Sequence, residues 1–178
     1  EEERRIRDTV REFVENEVLP VVTGHFRDAT FPMELFPRMA EMGLMGAHIK
    51  GYGCAGVSSV AYGLIMQELE AGDSGVRSFA SVMGSLVMYP IHKYGSEEQK
   101  EKYLKPLCNG TARSCFAMTE PEVAGSDPTL IQTFAYQDGD EWVINGHKWF
   151  TSGAIGAKFA IVMAVTNPDG ARHPRYRR

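Results

Sequence analysis

The feature that most constrains this chain is a change of hydrophobic texture near Gly110. Before it, apolar residues recur at three- and four-residue steps, the period of one helix face; after it come short runs of β-branched and aromatic residues broken by turn formers. Ile6, Val10, Phe13, Val14 and Val18 define a first helix. Pro20 is expected to stop it, since proline has no amide to donate and its ring meets the preceding turn. A second helix is expected over 33–42 with Phe36, Met39 and Ala40 inward and Gly43 as its stop, a third over 57–71 ending at Gly72, and a fourth over 74–92. Ser96 followed by Gln99 gives a fifth its capping box, with Pro106 beyond its end.

Beyond Gly110, strands are expected over 114–118, 131–136, 141–144 and 159–165, with a turn at 137–140. Asn145-Gly146 is the strongest short hairpin signal, because both residue types tolerate the positive φ of a type I′ turn. The fold class expected is therefore α+β: an all-α helical domain over 1–112, then part of an antiparallel β-barrel domain over 113–178. So few strands need more strands or a partner to cover their face, which suggests a piece of a longer chain.

Charge and cysteine usage narrow the function. A net charge of −4 with interspersed signs gives no basic face for nucleic acid. The one basic cluster, Arg172 to Arg178, reads as a solvated end. No run reaches the roughly 18 apolar residues of a membrane helix, so no membrane span is expected. Cys54, Cys108 and Cys115 are odd in number and widely spaced, against a disulfide framework and for a reducing compartment. The five histidines form no HExxH or paired set, so no metal site is expected.

Two segments resemble cofactor motifs. Gly51-Tyr52-Gly53-Cys54-Ala55-Gly56 spells GxGxxG with Asp73 downstream, the outline of a nicotinamide fingerprint. The preceding residues 46–50 are too short and polar for the buried parallel strand that must deliver such glycines, so a loop joining helices is the better account. The second is Phe116 to Asp127 taken with Lys148-Trp149-Phe150-Thr151-Ser152-Gly153. An isoalloxazine ring needs a flat aromatic neighbour, short hydroxyls and amides for its carbonyls and N5, and a close backbone turn for phosphate. Met118 and Thr119 opposed by Trp149, Phe150 and Ser152 offer the wall, and Gly125-Ser126 the turn. A plain hairpin with core aromatics accounts for the same pattern from residue types alone.

The strings FAMTEPEVAGSD and INGHKWFTSG resemble the middle domain of the acyl-CoA dehydrogenase family, while IKGYGCAGVSSVAYG and YGSEEQKEKYL resemble the helical domain of its glutaryl-CoA dehydrogenase branch. The resemblance implies a helical domain, a β-barrel middle domain and a C-terminal helical bundle that is absent here, assembled as homotetramers. It implies FAD as cofactor, with Phe116, Ala117, Met118, Thr119, Gly125, Ser126, Phe150, Thr151 and Ser152 at the flavin, and Ser126 also near acyl-CoA. The Arg77-Ser78 pair matches the branch's site for a distal carboxylate, although Asp73 stands four residues ahead and offers Arg77 a surface partner. The implied reaction is α,β-dehydrogenation of an acyl-CoA to the 2-enoyl-CoA, with electrons passed to an electron-transfer flavoprotein. The implied location is the cytoplasm in a bacterium or the mitochondrial matrix in a eukaryote.

Two departures qualify this resemblance. Glu122-Val123-Ala124 marks a loop one residue longer than in most members, and the usual flavin-wall tryptophan falls on Phe150 without a gap or on Trp149 with a shift of one. Phe150 is the expected wall residue. The family's base is a glutamate of the absent bundle, and Glu120 reads as a turn residue, so no catalytic base is assigned. The rival readings are an inert flavin- or acyl-CoA-binding module and a nicotinamide-dependent dehydrogenase.

Overall fold

The computed structural model describes residues 1–169, so the basic cluster Arg172 to Arg178 lies outside the described residues. The chain divides into two compact units, Glu1–Arg113 and the residues from Ser114 onward. The first is helical. Helix α1 (Glu2–Phe13) passes through a π-helical turn (Val14–Val18) directly into α2 (Leu19–Arg27). Pro20 therefore does not end the first helix. The Leu19 amide reaches back five residues to the Val14 carbonyl, and this wider turn opens the ladder just where the proline ring would otherwise crowd it.

The same solution recurs downstream. Helix α5 (Ser74–Ser81) runs through a second π turn (Val82–Met88) into α6 (Tyr89–Tyr94), and Pro90 again sits two residues past the turn. Between these long helices lie α3 (Leu35–Glu41) and α4 (Ser59–Gly72), the latter capped by the Ser58 hydroxyl on the Ala61 amide at 3.1 Å. Helix α7 (Glu97–Cys108) begins with the expected reciprocal capping box of Ser96 and Gln99. It carries Pro106 inside its last turn rather than beyond its end, where burial of Leu104, Leu107 and Cys108 holds the turn in place. The core of this unit is built from Val10, Val18, Ile65, Leu69, Met83 and Leu104, each at most 2% exposed.

The glycine fingerprint is a loop between α3 and α4, with no strand ahead of it. Gly51 (φ +85°), Tyr52 (φ +56°) and Gly53 (φ +86°) form a left-handed run that only a glycine-rich segment adopts at low cost. The nicotinamide reading ends there, because the βαβ unit that gives the fingerprint its function is missing among the described residues.

The second unit contains two strand pairs. Strand β2 (Phe134–Asp138) and β3 (Glu141–Asn145) form an antiparallel hairpin, Asp138 opposite Glu141. Strand β1 (Ser114–Ala117) pairs with β4 (Phe159–Val162) in parallel, Ser114 opposite Phe159, because a long excursion returns the chain in the same direction. The two pairs are linked through Val165, whose amide donates to Thr133 O at 2.8 Å and whose carbonyl accepts from Ala135 N at 2.9 Å. Antiparallel pairing thus holds for the hairpin, and β1 with β4 makes the β unit mixed.

Asn145-Gly146 does not turn a hairpin. The turn is at Gly139-Asp140, and residues 146–158, which follow β3, form no strand. Gly146 has a different reason to be glycine: a β-carbon there would stand 2.1 Å from the Thr133 hydroxyl oxygen and 2.7 Å from the Thr133 Cα. Its role is close backbone approach, which no local signal announces.

Candidate functional site

Within the β unit the chain leaving β1 meets the chain leaving β3. The Trp149 amide donates to the Thr119 carbonyl at 3.1 Å, and Lys148 Nζ donates to the Met118 carbonyl at 2.8 Å. The two segments singled out from sequence are thereby side by side. They meet through one backbone bond and a lysine rather than through a strand ladder, because the 147–152 segment is irregular.

The join is organised by Glu120. Its carboxylate is 3% exposed and accepts from Gln132 N (2.7 Å), Thr133 N (2.8 Å) and Lys148 Nζ (2.8 Å). Burial pushes the carboxyl upward, but hydrogen bonds from Lys148, Thr133 and Gln132 overcome it and hold the pKa at about 2. A carboxylate so committed fixes the backbone and is a poor proton acceptor. Lys148 was not singled out as an individual residue by sequence reasoning. Its signal was alternation: between His147 and Trp149, both exposed, a single inward position falls on a charged residue.

Around this buried scaffold the other predicted residues are variously disposed. Ala117 is buried, while its neighbours Phe116 and Met118 are half-buried, as strand alternation requires. Thr119 packs under the following loop, since a β-carbon on Gly125 would come within 3.1 Å of the Thr119 methyl. That contact places Ser126 one residue from Thr119's neighbour. Trp149 and Phe150 have ring centroids 4.5 Å apart and are 42% and 79% exposed. Phe150 also takes a left-handed backbone, φ +48°, which costs a bulky residue free energy. Among the described residues the hydroxyls of Thr119, Ser126, Thr151 and Ser152 make no hydrogen bond, whereas Ser114 and Thr129 nearby are satisfied by Phe159 O and Asp127.

In the helical unit, Arg77 lies on α5 and Ser78 beside it, both half-buried. Arg77 pairs through Nε with Glu70 and donates from Nη1 to the Ser81 hydroxyl at 3.4 Å. Arg77 and Ser74 together hold the Glu70 carboxyl below the usual carboxylate range. Asp73, the partner suggested by spacing, instead caps α5 through the Val76 amide at 2.8 Å. Glu70 was missed because it reaches Arg77 across the junction of two helices, a seven-residue step that intrahelical pairing rules do not cover. Ser78 contributes its carbonyl to the Ser81 hydroxyl at 3.1 Å.

Among the described residues no helix is long and apolar enough to cross a membrane, and no three His, Cys, Asp or Glu side chains cluster as metal ligands. A helical domain succeeded by a β domain with an exposed aromatic pair defines the class, and comparison with known proteins gives the family. Residues 1–111 match the acyl-CoA dehydrogenase N-terminal domain and residues 115–177 the acyl-CoA dehydrogenase middle domain. A glutaryl-CoA dehydrogenase from Mycobacterium smegmatis, solved in complex with FADH2, matches with a TM-score of 0.90 at 48% identity, over 96% of this chain and 44% of that one. Butyryl-CoA dehydrogenase from Megasphaera elsdenii gives a TM-score of 0.83 at 32% identity, over 93% of this chain and 44% of that one. A probable acyl-CoA dehydrogenase of Bacillus subtilis is 40% identical over 174 residues, 95% of this chain and 45% of its own length. The chain belongs to the acyl-CoA dehydrogenase family. It spans less than half the length of these relatives.

Proposed function

We propose that these residues form the helical domain, over 1–112, and part of the flavin-binding domain, over 113–178, of an FAD-dependent acyl-CoA dehydrogenase. The observation that carries this reading is the pairing of two exposed aromatics, Phe150 on a strained backbone, with uncommitted hydroxyls beside the buried Glu120 carboxylate. That donor set fits a flavin. Trp149 and Phe150 offer flat faces, Thr119, Thr151 and Ser152 offer hydroxyls for a polar ring edge, and Gly125 with Ser126 offers a close turn for phosphate. Phe116 and Met118 supply apolar surface, and Ala117 packs inward to fix the strand that bears them. FAD, when bound, supplies the hydride acceptor for the β-hydrogen of the acyl chain.

The chain's own residues bind and orient. Lys148 and Glu120 lock the 116–120 and 147–152 segments, so that Thr119 and Ser152 present their hydroxyls without reorganising. The proton acceptor is assigned to none of the described residues. The reaction takes an acyl-CoA to the 2-enoyl-CoA, with an electron-transfer flavoprotein as electron acceptor and a homo-oligomer as the assembled form.

The finer reading is a dicarboxylic substrate such as glutaryl-CoA, with Arg77 and Ser78 at the distal carboxylate. The half-buried guanidinium, set by Glu70 and Ser81, supports it: a bidentate fork already oriented suits a carboxylate. The full-length protein is expected to carry FAD and to bleach anaerobically with acyl-CoA. Colourless protein that also fails to take up added FAD refutes the flavoenzyme reading. Arg77→Met is expected to cut kcat/KM for glutaryl-CoA by roughly 10- to 100-fold more than for butyryl-CoA, the worth of a charge-assisted hydrogen bond. Equal losses on both substrates refute the dicarboxylate reading while leaving the flavoenzyme intact.

A further inference from the structure

One pair of nucleophilic side chains plays no part in the flavin or acyl-CoA reading. Cys54 lies in the left-handed glycine loop between α3 and α4, and Cys108 is the last residue of α7. Each thiol is the first electrostatic neighbour of the other. The loop backbone lies against the Cys108 sulfur, since a β-carbon on Gly53 would stand 3.9 Å from it. At its other end the loop is tied to the start of α7, where the Tyr52 hydroxyl donates to the Glu97 carboxylate at 2.8 Å. A cleft of about 540 Å³, lined in part by Glu41, Tyr52, Gly53, Lys105 and Asn109, opens onto Cys108. Cys54 is partly exposed; Cys108 is buried at the floor of the cleft, and Cys115, in the other unit, is buried without lining that cleft.

We propose that Cys54 and Cys108 form a peroxide-sensitive thiol pair that closes reversibly to a disulfide, with Cys108 as the attacking sulfur. The neighbouring Cys54 thiol lowers the Cys108 thiol against the opposing effect of burial, while Cys108 and burial push Cys54 up. The cleft gives peroxide access to Cys108 and not to Cys54, and the lowered thiol there favours the attacking thiolate. Its sulfur attacks one oxygen of hydrogen peroxide; the O–O bond breaks, hydroxide leaves and takes a proton to become water, and Cys108 becomes a sulfenic acid. The Cys54 sulfur then loses its proton and attacks Cys108 sulfur; the S–O bond breaks, the second water leaves, and the disulfide forms. Two thiols lose two electrons in all, and peroxide gains them. Gly53 gives the loop the backbone freedom to bring the Cys54 sulfur to covalent distance. The product staples the glycine loop to the end of α7, and a small dithiol reverses it.

The test is to treat the full-length protein at neutral pH with hydrogen peroxide, alkylate the remaining thiols, and map peptides by mass without reduction. The expected result is a Cys54–Cys108 linked peptide, lost on dithiothreitol, with Cys115 still alkylated. A Cys54→Ser variant is expected to stall at a Cys108 sulfenic acid that a dimedone probe captures, and Cys108→Ser to leave Cys54 unoxidised at the same peroxide dose. Full alkylation of both cysteines after peroxide overturns the proposal. So does Cys108 over-oxidised without a cross-link, or oxidation of Cys115 at an equal rate. The mapping on unsubstituted protein stands even where a variant fails to fold.

Discussion

Replacing Lys148 by methionine keeps the unbranched stem of the side chain, one atom shorter, and removes the cation that faces Glu120 and the Met118 carbonyl. The Glu120 carboxyl sits at about 2 in the folded protein against an ordinary 4.5, burial opposing the shift and Lys148, Thr133 and Gln132 producing it. At about 1.36 kcal/mol per pH unit, that depression corresponds to roughly 3 kcal/mol of stability at neutral pH. Because the folded value lies below the unfolded one, the contribution is complete above about pH 4.5 and disappears as pH falls toward about 2. Lys148→Met leaves a buried carboxylate with its two amide donors and no counter-ion. Breaking a buried pair from one side costs about 3–5 kcal/mol, and the surviving amides place this case near about 3. The acid-dependent loss is expected to shrink in the variant, since its Glu120 has less depression to lose. Both tryptophans, Trp142 and Trp149, lie in the β unit, so urea unfolding followed by tryptophan fluorescence reads that unit. A loss below about 1 kcal/mol, with an acid profile superimposable on the unsubstituted protein, refutes the argument that Lys148 holds Glu120.

Gly146→Ala is expected to destabilise the same unit by about 1–3 kcal/mol, since the new methyl meets Thr133 at 2.1 Å; an unchanged urea midpoint refutes that close approach. Phe150→Gly relieves a left-handed backbone worth roughly 1 kcal/mol, so the unfolding midpoint of the flavin-free protein rises. The same change removes an aromatic face and weakens FAD binding by about tenfold in a flavin titration; undiminished affinity removes Phe150 from the wall. Ser96→Ala deletes the cap on the Gln99 amide and is expected to cost about 1 kcal/mol in thermal unfolding followed by far-ultraviolet circular dichroism. An unchanged melting temperature means that α7 is held by burial alone.

The helices were legible because their apolar spacing and caps are local: Ser96 with Gln99 marks the start of α7 in sequence and in space. What the spacing could not carry was the extra residue of a π turn. Pro20 reads as a stop in any 3.6-residue window, and only the Leu19-to-Val14 hydrogen bond lets the helix pass it. Strand pairing was less legible for another reason. β1 and β4 are far apart in sequence, and nothing in either strand announces a parallel partner.

The sequence misled most in 145–152, and there the local rules conflict with one another. Asn145-Gly146 carries the strongest turn signal and makes no turn, because the glycine is required by Thr133. Phe150 occupies a backbone region suited to glycine or asparagine, with its ring in solvent. The glycine serves the close approach of Thr133, whereas an exposed phenylalanine at 150 adds nothing to the packing of the β unit. Beside them, the half-buried Lys148 pairs with the buried Glu120, whose carboxylate also accepts from the Gln132 and Thr133 amides. If the segment were an ordinary surface loop, selection for stability would favour glycine or asparagine at 150 and leave no reason for a rigid ion pair behind it. Strain and exposure at Phe150, above an ion pair that fixes the backbone, suit a preorganised ligand wall, because a flat ligand would supply the missing contacts while the scaffold keeps the wall in place.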